Sequence, residues 1–174
     1  MDIQDVLWVF LISAAPIGEL RAGIPTGIES YHLSWAVVVP VSLFGNLIII
    51  PFLLLFLERG LVLMYRIRLF TGILDRVFEH TRRRGEVVNK YHGVGLFLLV
   101  AIPLPGTGAW TGSLAASLLG IEFKKALLPI VAGVLVAAAI VSILTALGWV
   151  GAAIAGVCLI ILGGVRIWQL HSRR

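Results

Sequence analysis

Residues 15–27 read APIGELRAGIPTG, and residues 102–112 read IPLPGTGAWTG. Each stretch closes an apolar run, one beginning near residue 5 and the other near residue 92. Each crowds prolines and glycines where a helix in lipid would otherwise continue. Proline removes a backbone donor and clashes with the preceding turn. Glycine admits the positive φ that a reversal needs. Residues 5–32 and 92–120 therefore do not read as simple spans. Each either crosses once as a broken helix or enters the bilayer and turns back as a re-entrant hairpin.

The rest of the chain says which solvent to assume. Of 174 residues, 59% are hydrophobic and 13% charged, and the mean hydropathy is +1.02. A soluble domain carries about 25% charged residues. The apolar residues also fall in blocks long enough to cross a hydrocarbon core of about 30 Å. Residues 34–57 and 126–147 are expected spans, and 149–170 is a third, joined to the second by a tight turn at Gly148 and Trp149. The length allows one membrane domain over 1–174 and no separate soluble one. The first residues are acidic (Asp2, Asp5) and lack the basic region of a signal peptide, so the whole chain is taken as mature.

Residues 58–90 differ. They hold Arg59, Arg66, Arg68, Arg76, Arg82, Arg83, Arg84 and Lys90. Leu63, Ile67, Phe70, Leu74, Val77 and Phe78 recur at helical spacing, which predicts a basic amphipathic helix on the membrane surface. Placed in the cytoplasm, this segment decides the fate of 92–120. If that stretch turns back, Lys124, Lys125, Arg173 and Arg174 are cytoplasmic as well; if it crosses, all four fall outside. The positive-inside rule favours the re-entrant reading. The net charge of +5 is thus read as topology, not as a nucleic-acid surface.

For residues 5–32 the charge rule is nearly silent, and an internal repeat takes its place. A shift of 89 residues lays Pro16 on Pro105, Gly23 on Gly112 and Pro40 on Pro129. Residues 5–57 and 92–147 thus form two units, each a broken segment followed by a long span. The first span ends at basic Arg59 and the second begins at basic Lys125, so the units run in opposite directions. The expected fold is all-α: an inverted repeat of re-entrant hairpin plus transmembrane helix, with the amphipathic helix between the units and a last transmembrane helix. In transporters so built, the substrate site lies where the broken segments meet.

Glu19 and Arg21 are the candidates there, since an ionisable group at membrane depth costs about 3 kcal/mol on insertion scales. Three readings stand. In one, the two charges pair with each other or with backbone and hold the hairpin. In another, Arg21 binds an anionic group and Glu19 takes up a proton or cation. In the third, both lie near the surface and do little. Pro16, Gly18, Gly23 and Pro25 shape the first hairpin; Pro105, Gly106, Gly108 and Gly112 shape the second. Thr107 and Thr111 add hydroxyls. Trp110 falls opposite Arg21 in the 89-residue shift and packs either on a substrate or at the lipid interface. Asn46 either bonds across helices or faces the site. His32, His80, His92 and His171 have no metal-ligand spacing, and Cys158 is single, so neither a metal, a cofactor nor a disulfide is expected. No nucleophile triad or nucleotide loop is present, so an enzyme is not expected.

Gly18 to Pro25, and Pro103 to Leu114, resemble the two signature stretches of the putative small multidrug export protein family, itself similar to the DedA (VTT domain) superfamily. The resemblance implies paired re-entrant hairpins, each followed by a transmembrane helix. It also implies lipid movement between leaflets, with proton dependence and acidic residues in the first hairpin, to which Glu19 corresponds. DedA proteins usually carry an arginine in the second hairpin, where this chain has Trp110 and no arginine.

The expected function is a transporter or flippase for an amphipathic anion such as a phosphorylated polyprenyl lipid, coupled to protons. The alternatives are a proton-coupled multidrug exporter and a non-transporting membrane scaffold. The expected partners are membrane lipids, an anionic lipid or lipophilic substrate, and a second copy through small residues at Gly151/Ala155 and Ala152/Gly156, with no nucleic acid. The expected location is the cell membrane, multi-pass, with 58–90 and the C-terminus cytoplasmic.

Overall fold

The computed structural model describes the backbone of residues 2–66, 85–104, 106–154 and 156–157, and the side chains of the same residues except 58–66 and 85–92. Among the described residues every regular element is helical. Helix α1 spans Ile3–Ala14. Asp2 caps it, its carboxylate accepting from the Gln4 N–H at 3.2 Å. It stops because Ala15 precedes a proline and is driven extended, with φ −73 and ψ 147. Helix α2, Glu19–Pro25, follows after four residues. It widens into a π-helical turn at Thr26–Ser30, where the Tyr31 N–H reaches back to the Thr26 carbonyl at 3.1 Å.

Helix α3 spans Trp35–Arg66. Its Trp35–Leu57 portion is long and apolar enough to cross a membrane, at about 1.5 Å per residue against about 30 Å of hydrocarbon. Pro40 and Pro51 lie inside it without ending it. Helix α4, Gly85–Ala101, stops at the prolines that follow. Helix α5, Ala109–Leu118, is short. Helix α6, Phe123–Ala146, is the second candidate span. A turn at Leu147 and Gly148, the latter at φ 54, leads into further helix at 149–154.

Two boundaries differ from expectation. The first span does not give way to a separate element at 58; α3 runs on through Glu58 and Arg59 to Arg66, because charge alone does not interrupt a helical backbone. The second span begins at Phe123, so Lys124 and Lys125 lie in its first turn, with Lys125 Nζ 3.2 Å from Glu122. Most of the basic segment (67–84), Pro105, Ala155, and residues 158–174 with Cys158 lie outside the described residues.

The order of helix, break, short helix and long helix occurs twice, in α1–α2–α3 and in α4–α5–α6. The most extensive contacts join α1 to α3 and α4 to α6. A glycine makes each approach close. A Cβ on Gly45 would lie 2.7 Å from the Phe10 carbonyl, and one on Gly133 would lie 3.0 Å from the Phe97 carbonyl. Both pairs lie within two residues of the 89-residue shift. The buried core joins both units, with Val9, Ile24, Val38, Ile50, Val100, Ile130 and Val134 in one cluster. The outer face is apolar too: Phe44, Phe52, Phe56, Leu128 and Ile143 are exposed. A helix apolar on every side belongs in lipid.

Candidate functional site at the meeting of the two breaks

A helix end leaves backbone groups unpaired, which is costly wherever water does not reach them. Here polar side chains of the two breaks and of α3 pair them. At the end of α1, the Ala15 N–H serves the Leu11 and Ile12 carbonyls (3.0 and 3.3 Å). The Ser13 carbonyl accepts from Asn46 Nδ2 at 3.2 Å. The Ala14 carbonyl accepts from Trp110 Nε1 at 3.0 Å. All four final carbonyls of α1 are therefore paired, two of them by residues from distant elements.

The end of α4 is held from the other side. Arg21 Nη1 donates to the Leu104 and Thr107 carbonyls, and Nη2 to those of Val100 and Ile102, each at 3.3 Å. A planar guanidinium suits four acceptors arranged around it. Thr107 ties the same loop: its hydroxyl lies 2.8 Å from the Ile102 carbonyl and accepts from the Leu104 N–H at 3.2 Å. Arg21 and Trp110 are equivalent in the 89-residue shift, and each caps the first helix of the opposite unit.

Glu19 closes the junction. Its Oε2 accepts from the Ala109 N–H at 3.2 Å and its Oε1 from the Trp110 N–H at 3.1 Å. The carboxylate thus caps α5, where the helix dipole favours negative charge. Glu19 is 6% exposed, with Asn46 and Arg21 as its polar neighbours. No Glu19–Arg21 ion pair forms; each charge meets main chain of the other unit instead. Gly108, at φ 145, leaves the room: a Cβ there would collide with the Glu19 carboxylate.

The remaining expected residues divide. Thr111 donates to the Gly108 carbonyl at 3.3 Å and lines the cavity beside Glu19. Gly106, at φ 77, makes the turn. Gly112 allows contact with Val100, and Gly23 lies against Ser13 and Ser42. Pro16 is exposed at the first break, next to Ile17, which is 98% exposed. Two cavities flank the junction. One, of about 320 Å³, is lined by Gly18, Glu19, Leu104, Thr107 and Thr111. The other, of about 280 Å³, is lined by Pro25, Glu29, Val141, Leu144 and Thr145. Arg21 and Pro103 line both and stand between them.

Sequence reasoning passed over Ser42 and Ser113 and weighed Ser13 only as a nucleophile without a base. All three are fully buried, and the signal available was a hydroxyl inside an apolar helix, too common to single out. Among the described residues, no cluster of His, Cys, Asp and Glu is arranged to hold a metal ion.

Two long apolar helices, an apolar outer face and helix ends paired within the protein define a membrane protein whose regular elements, among the described residues, are all helical. The chain belongs to the family described as putative small multi-drug export protein, whose model matches residues 19–140. No curated protein and no solved structure matches it.

Proposed function

We propose that this protein is a proton-coupled exporter of small amphipathic compounds, with Glu19 as the coupling group. The observation that carries this reading is the Glu19 carboxylate, buried where the two breaks meet. An ionised carboxylate accepts at both oxygens, whereas a protonated one must turn an O–H toward a neighbour. Protonation therefore forfeits one of the bonds to Ala109 and Trp110 and loosens the junction of α2 with α5. That links proton uptake to a change of shape between the two cavities, with Arg21 and Pro103 as the partition. The family description supports export.

The same proposal holds the two breaks to be re-entrant hairpins in an inverted repeat over 5–57 and 92–147. It puts 58–90 and the C-terminus in the cytoplasm of a multi-pass cell-membrane protein. It also makes Thr107, Trp110 and Thr111 wall residues of the path. On substrate sign we favour a lipophilic cation or neutral amphipath. All four terminal N–H groups of Arg21 are engaged by carbonyls, which leaves only the buried Nε–H for a phosphate, and Glu29 offers a carboxylate on the second cavity. Kinship with DedA proteins and movement of a phosphorylated lipid form the second reading, which rests on Arg21 giving up its carbonyls for a headgroup.

Proteoliposomes separate the two. A fluorescent lipophilic cation should leave wild-type vesicles under a pH gradient and remain in those carrying Glu19→Gln. Exchange of a polyprenyl phosphate between leaflets, abolished by Arg21→Ala in folded protein, would replace the exporter reading with the lipid one. Movement of neither would leave a scaffold.

A further inference from the structure

Three fully buried polar side chains lie together where α1 and α3 pack against Gly23 of α2, one helical turn from Glu19, and each has an oxygen that no described residue satisfies. They are Ser13 Oγ on α1, and Ser42 Oγ and Asn46 Oδ1 on α3. Ser42 and Asn46 are four apart and so share one helix face. Asn46 joins that face to the end of α1 through the Ser13 carbonyl at 3.2 Å, and its amide neighbours the Glu19 carboxylate. Ser13 and Ser42 both turn their hydroxyls toward Gly23: a Cβ there would strike Ser13 Oγ and lie 3.2 Å from Ser42 Oγ. In a bundle built of Leu, Ile and Val, this is a seam of oxygens across the crossing of α1, α2 and α3. A buried polar group without a partner costs about 1–3 kcal/mol, and buried water usually meets that need with about three hydrogen bonds.

We propose that Ser13, Ser42 and Asn46 hold ordered water that delivers protons to Glu19. The inference rests on Glu19 as the coupling group. A proton entering from bulk water passes from oxygen to oxygen along the seam. Each oxygen on the way gains one hydrogen and gives up another, and the last transfer forms the O–H of Glu19. Water suits the seam because hydroxyls and an amide oxygen offer both donors and acceptors. Among the described residues, Arg21 is the charged group facing Glu19. The other groups that α1, α3 and α5 present to it are uncharged: Asn46 and the main chain of Ala109 and Trp110.

The test is the double variant Ser13→Ala/Ser42→Ala in the full chain, purified in detergent. Two quantities are read. The first is the melting temperature. The second, read at a pH low enough to protonate Glu19, is the rate of hydrogen–deuterium exchange at its carboxylic O–H, followed as the infrared band that Glu19→Gln removes. If water occupies the seam, the variant melts lower and exchanges about tenfold more slowly or worse, an added barrier of about 1.4 kcal/mol. A higher or unchanged melting temperature means the hydroxyls hold nothing and overturns the proposal. A lower melting temperature with unchanged exchange also overturns it, leaving a packing role. A saturable rise in wild-type melting temperature with sodium but not potassium replaces water with a bound ion. Should Glu19→Gln transport like wild type, the exporter reading falls, while exchange in the serine variant still judges the seam.

Discussion

Glu19 holds a left-handed backbone, φ 51, that a non-glycine residue adopts at about 1–2 kcal/mol. Glycine would relieve that strain, yet the carboxylate makes two charge-assisted bonds to N–H groups, each worth about 1.5–3 kcal/mol. Glu19→Gly should therefore melt well below wild type in detergent; a higher melting temperature would mean the α5 cap contributes nothing. Arg21→Lys tests the other cap. An ammonium has three donors about a point and does not span four carbonyls in a plane. It should lose about 1–3 kcal/mol in denaturant titration, and Arg21→Ala should lose more. Trp110→Phe keeps an aromatic ring but removes the bond to Ala14 and part of the indole's packing, so a loss of about 1 kcal/mol or more is expected. Sequence singled out Glu19 and Arg21 because charge in an apolar run is conspicuous. Their partners were not legible, because main-chain carbonyls and N–H groups carry no side-chain signature.

Helix against helix, the glycines decide. α1 on α3 and α4 on α6 approach closely because Gly45 and Gly133 present no side chain to a neighbouring carbonyl. Gly45→Ala and Gly133→Ala must push these pairs apart, at about 1–3 kcal/mol for an overpacked contact. Gly95 in α4 is the control: a Cβ there meets nothing within 4 Å. Gly95→Ala should be neutral or stabilising by up to about 1 kcal/mol. Equal effects of all three on melting temperature would show that helix propensity, not close approach, is what these positions feel. The spans themselves were legible from hydropathy. The extension of α3 to Arg66 was not, since a hydropathy boundary marks where lipid ends and not where hydrogen bonding does.

At the scale of the molecule, four helix ends converge: the C-termini of α1 and α4, and the N-termini of α2 and α5. The inverted repeat we propose sets the two α1-like helices entering from opposite faces. In a Cys158→Ser background, Asp2→Cys should then react with an impermeant thiol reagent from outside intact cells, and Gly85→Cys only after permeabilisation. Labelling of both from the same side would sink the inverted arrangement. It would leave the hydrogen bonds of the junction untouched.

By itself the sequence determined the solvent, the two long spans and the two breaks. Transfer free energy sums over neighbouring residues, and proline and glycine act on their own backbone. Those are local quantities, readable along a string. Only the tertiary structure decided what the breaks do to each other. The bonds that hold them join residues from 79 to 96 positions apart. Nothing local specifies that Arg21 serves the end of α4, that Trp110 serves the end of α1, or that Glu19 reaches α5. Those pairings follow from packing at a buried junction, where a helix end finds its partners in the rest of the protein.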